Sequence, residues 1–361
     1  MSNRLDIHKA LKNPLVKKIL PRYVEVAKNK SWANFQIAKR IVVDFDKTLT
    51  TAQLWKEHRK LMKTFYETKA VIDKKKLKVE DLEIPRFSLL DLKILLTKEI
   101  MKSCELCQLM CHVNRLEEER GNCGVGRFSQ INSIFCHMGE EPEISPSLTC
   151  FFIGCPSHCV YCQNFMISQN LERGKIILPQ QLAKIIEEYN RKVRNINWVG
   201  ADPVPHLLTV LETLKYCNVN LPSIWNSFMY MSEKTMKLLD GIVDLYLADF
   251  RYGDDETAEL YSKVKNYWET ITRNFTIAFK QAEMLTRILV LPGKWLETDY
   301  PKIIKWIKEN LGPEARINVM SQYTPHWKAY QYPEISRRLT DEEYEKAIKL
   351  ANQCGLKNLV K

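Results

Sequence analysis

Residues 148–164 read LTCFFIGCPSHCVYCQN, an apolar run followed at once by three closely spaced cysteines. The apolar run is typical of a buried β-strand, and Gly154 marks its end. Cys155, Cys159 and Cys162 then follow with the spacing C-x3-C-x2-C, and no fourth cysteine lies close behind them. This order predicts a strand that delivers three thiols into one tight loop.

The sequence after this stretch alternates short apolar runs with helical patterns. Five further strands are predicted at INWVG (196–200), SIWNSFM (223–229), VDLYLAD (243–249), TRILVLP (286–292) and INVMSQY (317–323). Strands that alternate with helices pair in parallel through right-handed crossovers. We therefore expect an α/β fold, either a partial (β/α)6 barrel or an open doubly wound sheet. In both folds the active site lies at the carboxyl ends of the strands.

The chain before residue 146 differs in texture from the rest. Residues 1 to about 100 contain no glycine and show helical apolar spacing in LDIHKALKNPLVKKIL (5–20) and FSLLDLKILLTKEIM (87–101). The segment that follows contains a second group of cysteines and glycine-rich turns, with little helical periodicity. We expect three parts: a helical N-terminal extension (1–103), a cysteine-rich metal-binding module (104–145) and the barrel (146–361).

The composition of the 361-residue chain is that of an ordinary globular protein, with 45% hydrophobic residues and a net charge of +11. No apolar run approaches the roughly 20 residues of a membrane-spanning helix, and the N-terminus lacks the apolar core of a signal peptide. We expect a soluble, cytoplasmic protein with no membrane partner. The basic residues are spread along the chain, which does not favour nucleic acid as a partner.

The cysteines predict metal chemistry. Cytosolic thiols stay reduced, so the 11 cysteines of this chain are not expected to form a disulfide framework. Three thiolates can hold three irons of a [4Fe–4S] cluster and leave the fourth iron open to a small molecule. A second group, which supplies four thiols, could close a zinc site or hold a second iron–sulfur cluster. Its members are Cys104, Cys107, Cys111 and Cys123. We favour a structural role and zinc for this group.

The motif C-x3-C-x2-C with Tyr161 before its last cysteine resembles that of the radical S-adenosylmethionine (SAM) family. Roughly residues 104–361 resemble the branch related to pyruvate formate-lyase activating enzyme. The blocks that carry this resemblance are EEPEIS (140–145), the motif with CQNFMIS (162–168), VGADPVPH (199–206), WNSFMYMSE (225–233), DLYLADFRYGDDE (244–256), TRILVLPG (286–293) and NVMSQYTPHWKA (318–329). The branch also has a module similar to CELC, CHVNR and GNC within 104–123.

The resemblance implies a partial barrel of radical SAM type and a [4Fe–4S] cluster on Cys155, Cys159 and Cys162, with SAM bound to its open iron. In that family an electron from the reduced cluster cleaves SAM to a 5′-deoxyadenosyl radical, which abstracts hydrogen from a substrate. Reduced ferredoxin or flavodoxin is the expected electron donor. A protein is a candidate substrate, because activating enzymes act on proteins.

The resemblance also implies roles for residues at the strand ends. Tyr161 is expected beside the adenine of SAM. Gly200 and Asp202 stand where the family has a Gly-Gly-Glu motif that meets the SAM amino group. Asn226 and Ser227 fall where the family approaches the ribose or the carboxylate. A turn role for Ser227 and a core role for Tyr161 are the simpler alternatives.

Three charged residues complete the expected site. Arg287 matches an arginine of the family that lies at the SAM end of the barrel. Asp249 and Arg251 stand where activating enzymes carry an Asp-x-Lys pair near substrate and SAM, with arginine here in place of lysine. A structural ion pair between Arg287 and Asp249 is the alternative.

Two other functions stay open at this point. All seven clustered cysteines could be structural in a basic, zinc-binding nucleic-acid-interaction protein. IVVDFDKTLT (41–50) fits the pattern of haloacid-dehalogenase-like phosphatases, with Asp44 as nucleophile, Asp46 as acid/base and GDD (253–255) as a later acidic motif. No strand–helix alternation surrounds residue 44, so we expect a turn or a helix cap there.

Overall fold

The computed structural model describes residues 7–44, 49–170 and 174–360. Within these ranges the strands are β1 Gln130–His137, β2 Ser147–Phe152, β3 Lys175–Ile176, β4 Ile196–Gly200, β5 Ser223–Ser227, β6 Leu245–Asp249, β7 Glu283–Leu289, β8 Arg316–Met320 and β9 Asn358–Leu359. They form one sheet in the order β3-β1-β2-β4-β5-β6-β7-β8-β9. Strand β1 pairs antiparallel with β2 and β3, whereas all other neighbours pair in parallel.

The α-helices of the same ranges surround and close this sheet. They are α1 Ile7–Ala10, α2 Pro14–Ile19, α3 Pro21–Ala27, α4 Asn34–Ala38, α5 Thr51–Asp73, α6 Leu89–Met101, α7 Phe165–Ser168, α8 Pro179–Tyr189, α9 Leu207–Tyr216, α10 Glu233–Leu239, α11 Asp255–Ser262, α12 Tyr267–Gln281, α13 Trp295–Thr298, α14 Tyr300–Asn310 and α15 Asp341–Cys354. Helix α15 begins with the predicted capping box of Thr340 and Glu343 and ends at Gly355, which has a φ of 91°. In the described part of the chain, no helix has both the length and the apolar character needed to cross a membrane.

The predicted α/β fold is confirmed. All six predicted strands are present as β2, β4, β5, β6, β7 and β8, and they pair in parallel. From β4 to β9 the spatial order follows the chain order without a reversal. A doubly wound sheet reverses at a switch point, so this order favours the partial barrel.

Strand β1 is the main element that the sequence did not predict. Its residues, QINSIFCH, fall in the segment expected to be irregular, yet they pair with β2 along most of its length. The strand is mostly half-buried and contains four polar residues among eight, so it lacks the apolar run that indicated the other strands. The division of the chain at residues 103 and 145 stays a prediction.

Helices α2 and α3 close the amino ends of the central strands. Their side chains Val16, Leu20, Tyr23 and Val24 form one buried cluster with residues of β5, β6 and β7. The carboxylate of Glu283, the first residue of β7, accepts hydrogen bonds from the backbone N–H groups of Arg22 and Tyr23, each at 2.7 Å. This arrangement seals one end of the barrel, and the opposite end holds the site described next.

Candidate active site

One cavity of about 780 Å³ lies at the carboxyl ends of the parallel strands. It is lined by the loop that follows β2 and by residues at the ends of β4 to β8. Every residue predicted from the three-cysteine motif and the SAM resemblance lines it: Cys155, Cys159, Cys162, Tyr161, Gly200, Asp202, Asn226, Ser227, Asp249, Arg251 and Arg287. The fold therefore brings together residues that are up to 132 positions apart in the sequence.

The three thiols sit in a tight loop made possible by Gly154. This glycine has a φ of +100°, and a Cβ at this position would lie 2.6 Å from the carbonyl oxygen of Cys123. A side chain is excluded both by the backbone conformation and by the neighbouring chain. Cys155 and Cys159 are buried, whereas Cys162 is half-buried at the cavity.

Polar groups surround the sulfur of Cys159. The hydroxyls of Ser157 and Ser262 each lie 3.0 Å from its Sγ. The Arg251 guanidinium donates to the same sulfur, with 3.2 Å between Nη1 and Sγ. Hydrogen-bond donors and a positive charge around sulfur are typical of iron–sulfur ligation, where they stabilise negative charge on the cluster.

The loop fits a metal cluster better than it fits free thiols. Burial raises the pKa of Cys155 well above its ordinary value, and the nearby Asp202, Cys159 and Cys162 add to this effect. Three thiolates packed this closely repel one another unless a cationic centre compensates their charge. A metal group that binds all three sulfurs supplies such a centre, and three cysteine ligands suit a [4Fe–4S] cluster.

Arg251 connects the thiol loop to Asp249. Its Nη2 donates to the Asp249 carboxylate at 2.8 Å, while its Nη1 contacts Cys159 as described above. The guanidinium also lies over the ring of Phe228, 4.8 Å from the ring centre. The expected Asp-x-Arg pair is thus an ion pair, and Asp249 does not pair with Arg287.

Asp202 and Ser227 form one unit at the ends of β4 and β5. The Ser227 hydroxyl donates to the Asp202 carboxylate at 2.9 Å, and the backbone N–H of Phe228 donates to the same oxygen at 3.3 Å. Burial raises the pKa of Asp202 to about 6, and these hydrogen bonds limit the rise. The side chain of Asn226 is largely buried beside them at the cavity wall.

Arg287 is held by two carboxylates that the sequence analysis did not single out as site residues. It contacts Glu140, and it pairs with both oxygens of Glu141, with its Nε 2.8 Å from Oε1. Asn318 donates to the same Oε1 at 2.7 Å. The block EEPEIS contained the signal, but nothing in its residue types indicated a partner 146 positions away.

Tyr161 belongs to a chain of hydroxyl groups that ends at a cluster cysteine. Its hydroxyl lies 2.5 Å from that of Tyr252, which lies 2.5 Å from the hydroxyl of Ser262. Ser262 in turn contacts Cys159. Neither Tyr252 nor Ser262 was predicted, because the contact depends on helix α11 folding back over the loop.

The four cysteines of the second group lie outside the large cavity. Cys104, Cys107, Cys111 and Cys123 together line a separate cavity of about 10 Å³. The two cysteine loops nevertheless touch, because the side chain of Asn122 donates to the carbonyl of Pro156 at 2.8 Å. The fold thus places the two predicted metal sites side by side.

The structure gives no support to the phosphatase alternative. Asp44 is exposed, and Asp46 lies outside the described residues. Asp254 caps helix α11 by accepting a hydrogen bond from Thr257 N at 2.9 Å, and Asp255 accepts one from Trp268 N at 2.7 Å. These carboxylates serve as helix and loop caps.

The fold and the three-thiol cavity define a class of iron–sulfur enzyme. Residues 149–307 match the Radical SAM superfamily and form its domain in this chain; members of this superfamily bind a [4Fe–4S] cluster and SAM. A relative, an uncharacterized protein of Methanocaldococcus jannaschii, is 43% identical over 343 residues, which cover 93% of this chain and 98% of the relative.

Solved structures resemble this chain more distantly. SuiB of Streptococcus suis bound to the precursor peptide SuiA is 11% identical with a TM-score of 0.44, over 57% of this chain and 46% of SuiB. HydG, a maturase of the [FeFe]-hydrogenase, is 12% identical with a TM-score of 0.42, over 98% of this chain and 65% of HydG. This chain thus spans about half the length of SuiB and two thirds of that of HydG.

Proposed function

We propose that this protein is a radical SAM enzyme of the activating-enzyme type, which abstracts hydrogen from a protein substrate. The observation that supports it is the single cavity in which three thiols, a cationic side chain and the polar strand ends meet. When bound, the cluster supplies the electron that cleaves SAM to a 5′-deoxyadenosyl radical. Reduced ferredoxin or flavodoxin is the proposed electron donor.

The thiols and Arg251 have separate roles in this proposal. Cys155, Cys159 and Cys162 bind three irons, and burial of the loop keeps water away from them. Arg251 neutralises negative charge at the Cys159 sulfur and keeps Asp249 at the cavity wall. Because Asp249 and Arg251 line the cavity and Arg251 contacts Cys159, we assign them to the boundary between SAM and substrate.

The polar strand ends bind SAM in this proposal. The carboxylate of Asp202, fixed by Ser227, is the partner for the SAM ammonium group, and a pKa of about 6 leaves it ionised at neutral pH. Gly200 lets β4 approach β2 closely beside this carboxylate, and Asn226 presents its amide to the ribose or carboxylate. The ring of Tyr161 is the proposed neighbour of the adenine.

Arg287 has a positioning role in this account. Its guanidinium is already paired with two carboxylates, so it is less able to bind a further anionic group. We propose that it orients Glu140 and Glu141, which line the same cavity, toward SAM or substrate.

The second cysteine group is proposed to hold a structural metal, either zinc or a second iron–sulfur cluster. Four thiols leave no open coordination position, so this group is not expected to bind SAM.

Electron paramagnetic resonance tests the assignment of the cavity. The protein is reconstituted anaerobically with iron and sulfide and reduced, and its spectrum is recorded with and without SAM. We expect a [4Fe–4S]⁺ signal that SAM perturbs, and loss of this perturbation in Cys155→Ala. Cys354→Ala, a half-buried cysteine outside the cavity, is the control. A signal that SAM leaves unchanged contradicts the proposal.

A glycyl-radical protein tests the activating-enzyme part separately. Pyruvate formate-lyase serves as the probe, mixed with the reduced enzyme and SAM. A glycyl radical signal supports a protein substrate of this kind. Production of 5′-deoxyadenosine without any such signal leaves the radical SAM assignment in place and removes the activating-enzyme type for this probe.

A further inference from the structure

Arg115 is buried among the four cysteines of the second group. Only 1% of its surface is exposed, although it lies in an irregular loop between α6 and β1. Its Nη2 donates to the carbonyl oxygens of Gly126 and Pro205, each at 2.7 Å, and its Nε donates to Gly126 at 3.2 Å. In the described part of the chain its Nη1 has no hydrogen-bond partner, and no carboxylate forms a salt bridge with it.

Arg115 lies beside the thiols. It lines the same small cavity as all four cysteines. Its guanidinium is close enough to the sulfurs of Cys104 and Cys123 to interact with them electrostatically. Because no carboxylate of the described residues forms a salt bridge with Arg115, the sulfur atoms are the candidate anions beside it.

The backbone around these sulfurs is arranged for anions. Backbone N–H groups two residues further along the chain approach the sulfurs of Cys104, Cys107 and Cys123. The chain also closes over the Cys111 sulfur, since a Cβ at Gly121 would lie 2.3 Å from it. Neutral thiols gain little from such an environment, because they accept hydrogen bonds weakly.

A buried guanidinium needs a compensating negative charge. Arginine does not lose its proton in proteins, so its charge persists wherever it is placed. Burying an unpaired charge is strongly unfavourable, and carbonyl oxygens compensate it only in part. Four protonated thiols supply no charge, whereas four thiolates around Zn²⁺ or a [4Fe–4S]²⁺ core carry a net charge of about −2.

We propose that Cys104, Cys107, Cys111 and Cys123 bind a negatively charged metal–thiolate centre and that Arg115 is its buried counter-charge. This inference rests on the metal site proposed above and adds the residue that balances it. Arg115 is a positioning residue, because it acts on the metal through the thiolates. Its loss weakens metal binding by about 10- to 100-fold, as loss of outer-shell partners does at other metal sites.

The test uses a full-length chain in which Cys155, Cys159 and Cys162 are all replaced by alanine. Clustered thiols then remain only at the second group, and the metal bound per chain is measured after anaerobic loading with zinc or with iron and sulfide. Either about one zinc or about four irons per chain supports a metal–thiolate centre and identifies it. Absence of both metals overturns the metal site and leaves the radical SAM assignment untouched.

The role of Arg115 is then tested in this background by measuring each variant both with and without metal. The melting temperature with and without metal is compared for Arg115, Arg115→Met and Arg115→Lys, together with the rate of metal loss to a chelator. If Arg115 balances the centre, Arg115→Met shrinks the metal-dependent gain in melting temperature and speeds metal loss, while Arg115→Lys retains part of both. Arg120→Met, an exposed arginine of the same loop, leaves both unchanged.

A purely structural role gives a different result. Arg115 also bonds the carbonyls of Gly126 and Pro205, and loss of these bonds alone lowers both melting temperatures equally. An unchanged metal-dependent gain in Arg115→Met, with unchanged metal loss, therefore overturns the counter-charge while the metal site stands. If Arg115→Met does not fold, Arg115→Lys carries the same comparison.

Discussion

Arg251 contacts both the thiol loop and Asp249, which the sequence analysis placed near substrate and SAM. It joins the Cys159 sulfur to the Asp249 carboxylate, and its backbone carbonyl accepts a hydrogen bond from Trp295 Nε1 at 2.9 Å. A lysine has one point charge and lacks the planar fork that makes two such contacts in fixed directions. We therefore expect arginine at this position to hold both contacts, whereas a lysine would hold one.

Removal of Arg251 should lower the reduction potential of the cluster. Its positive charge and its hydrogen bond stabilise the reduced, more negative form. We expect Arg251→Met to shift the potential by on the order of 50 mV to more negative values, from the typical strength of a charged hydrogen bond. Redox titration followed by electron paramagnetic resonance measures this. Arg273→Met, a half-buried arginine that does not line the cavity, should not shift the potential, and an equal shift in both variants would argue against the contact.

Gly200 illustrates a residue that backbone geometry requires. It has a φ of +125°, and a Cβ would lie 2.2 Å from the backbone nitrogen of Phe152 on the neighbouring strand. Gly200→Ala should destabilise the protein by about 2 kcal/mol or more, because strain and overlap add.

The matched control for this change is Gly312→Ala. Gly312 also has a positive φ, of +91°, but nothing lies within 4 Å of its Cβ position. Chemical denaturation should therefore show a smaller loss of unfolding free energy for Gly312→Ala than for Gly200→Ala. Equal losses would contradict the claim that the close approach of β2 and β4 excludes a side chain at position 200.

At the level of elements, four of the six strands that the sequence predicted are buried on both faces. Strands β2, β4, β5 and β6 are almost wholly buried, and each reads as one short apolar run between turns. Strand β1 pairs antiparallel with both of its neighbours, and its residues range from buried to exposed. Its pattern of polar and apolar residues therefore resembles that of a loop.

The residues that line the site could be predicted from the sequence, as the buried strands could. Residues at strand ends were expected together, because parallel strands end at one edge of the sheet. Their partners were not, because Glu140 and Ser262 come from a loop and a helix whose approach depends on the finished fold. The sequence therefore predicts which residues meet at the cavity better than it predicts their hydrogen-bond partners.

Glu283, which helix α3 contacts at the closed end of the barrel, is expected to make the stability of the protein depend on pH. Burial raises the pKa of Glu283 from its ordinary value near 4.5 to about 7, while the N–H groups of Tyr23 and Arg22 oppose the rise. A raised carboxyl pKa contributes stability that is fully present below pH 4.5 and is lost as the pH rises through 7.

Glu283→Gln should remove this pH dependence, because the amide keeps an acceptor oxygen but does not titrate. We expect the stability of the unmodified protein to fall relative to the variant between pH 5 and pH 8, by on the order of 2 kcal/mol at about 1.4 kcal/mol per pKa unit. Melting curves at several pH values check this. Glu309→Gln, an exposed control, should retain the slope. Parallel curves for Glu283→Gln and the unmodified protein would contradict the role of Glu283.

At the scale of the whole molecule, the two cysteine loops share a boundary. Gly154 lies against the carbonyl of Cys123, and His158 Nε2 lies 3.1 Å from the carbonyl oxygen of Asn122. The second group is therefore placed to brace the loop that carries Cys155. The same closeness would also suit electron transfer between two clusters.

Cys107→Ala separates these two roles. If the second group is structural, the variant loses metal and melts at a lower temperature, but folded protein still shows the SAM-dependent spectral change. An electron relay predicts a different outcome: the variant binds SAM and cleaves it with a small chemical reductant, but not with a reduced protein donor. Comparison of the two reductants decides between them.

The central claim is that the cavity holds a cluster which cleaves SAM, and the most direct measurement is the yield of 5′-deoxyadenosine from the reconstituted, reduced protein. We predict product from the unmodified protein and from Cys354→Ala. We predict none above background from Cys159→Ala, because each cysteine of the loop supplies one of only three protein ligands. Undiminished 5′-deoxyadenosine from folded Cys159→Ala, or its absence from the iron-loaded unmodified protein, would contradict the account.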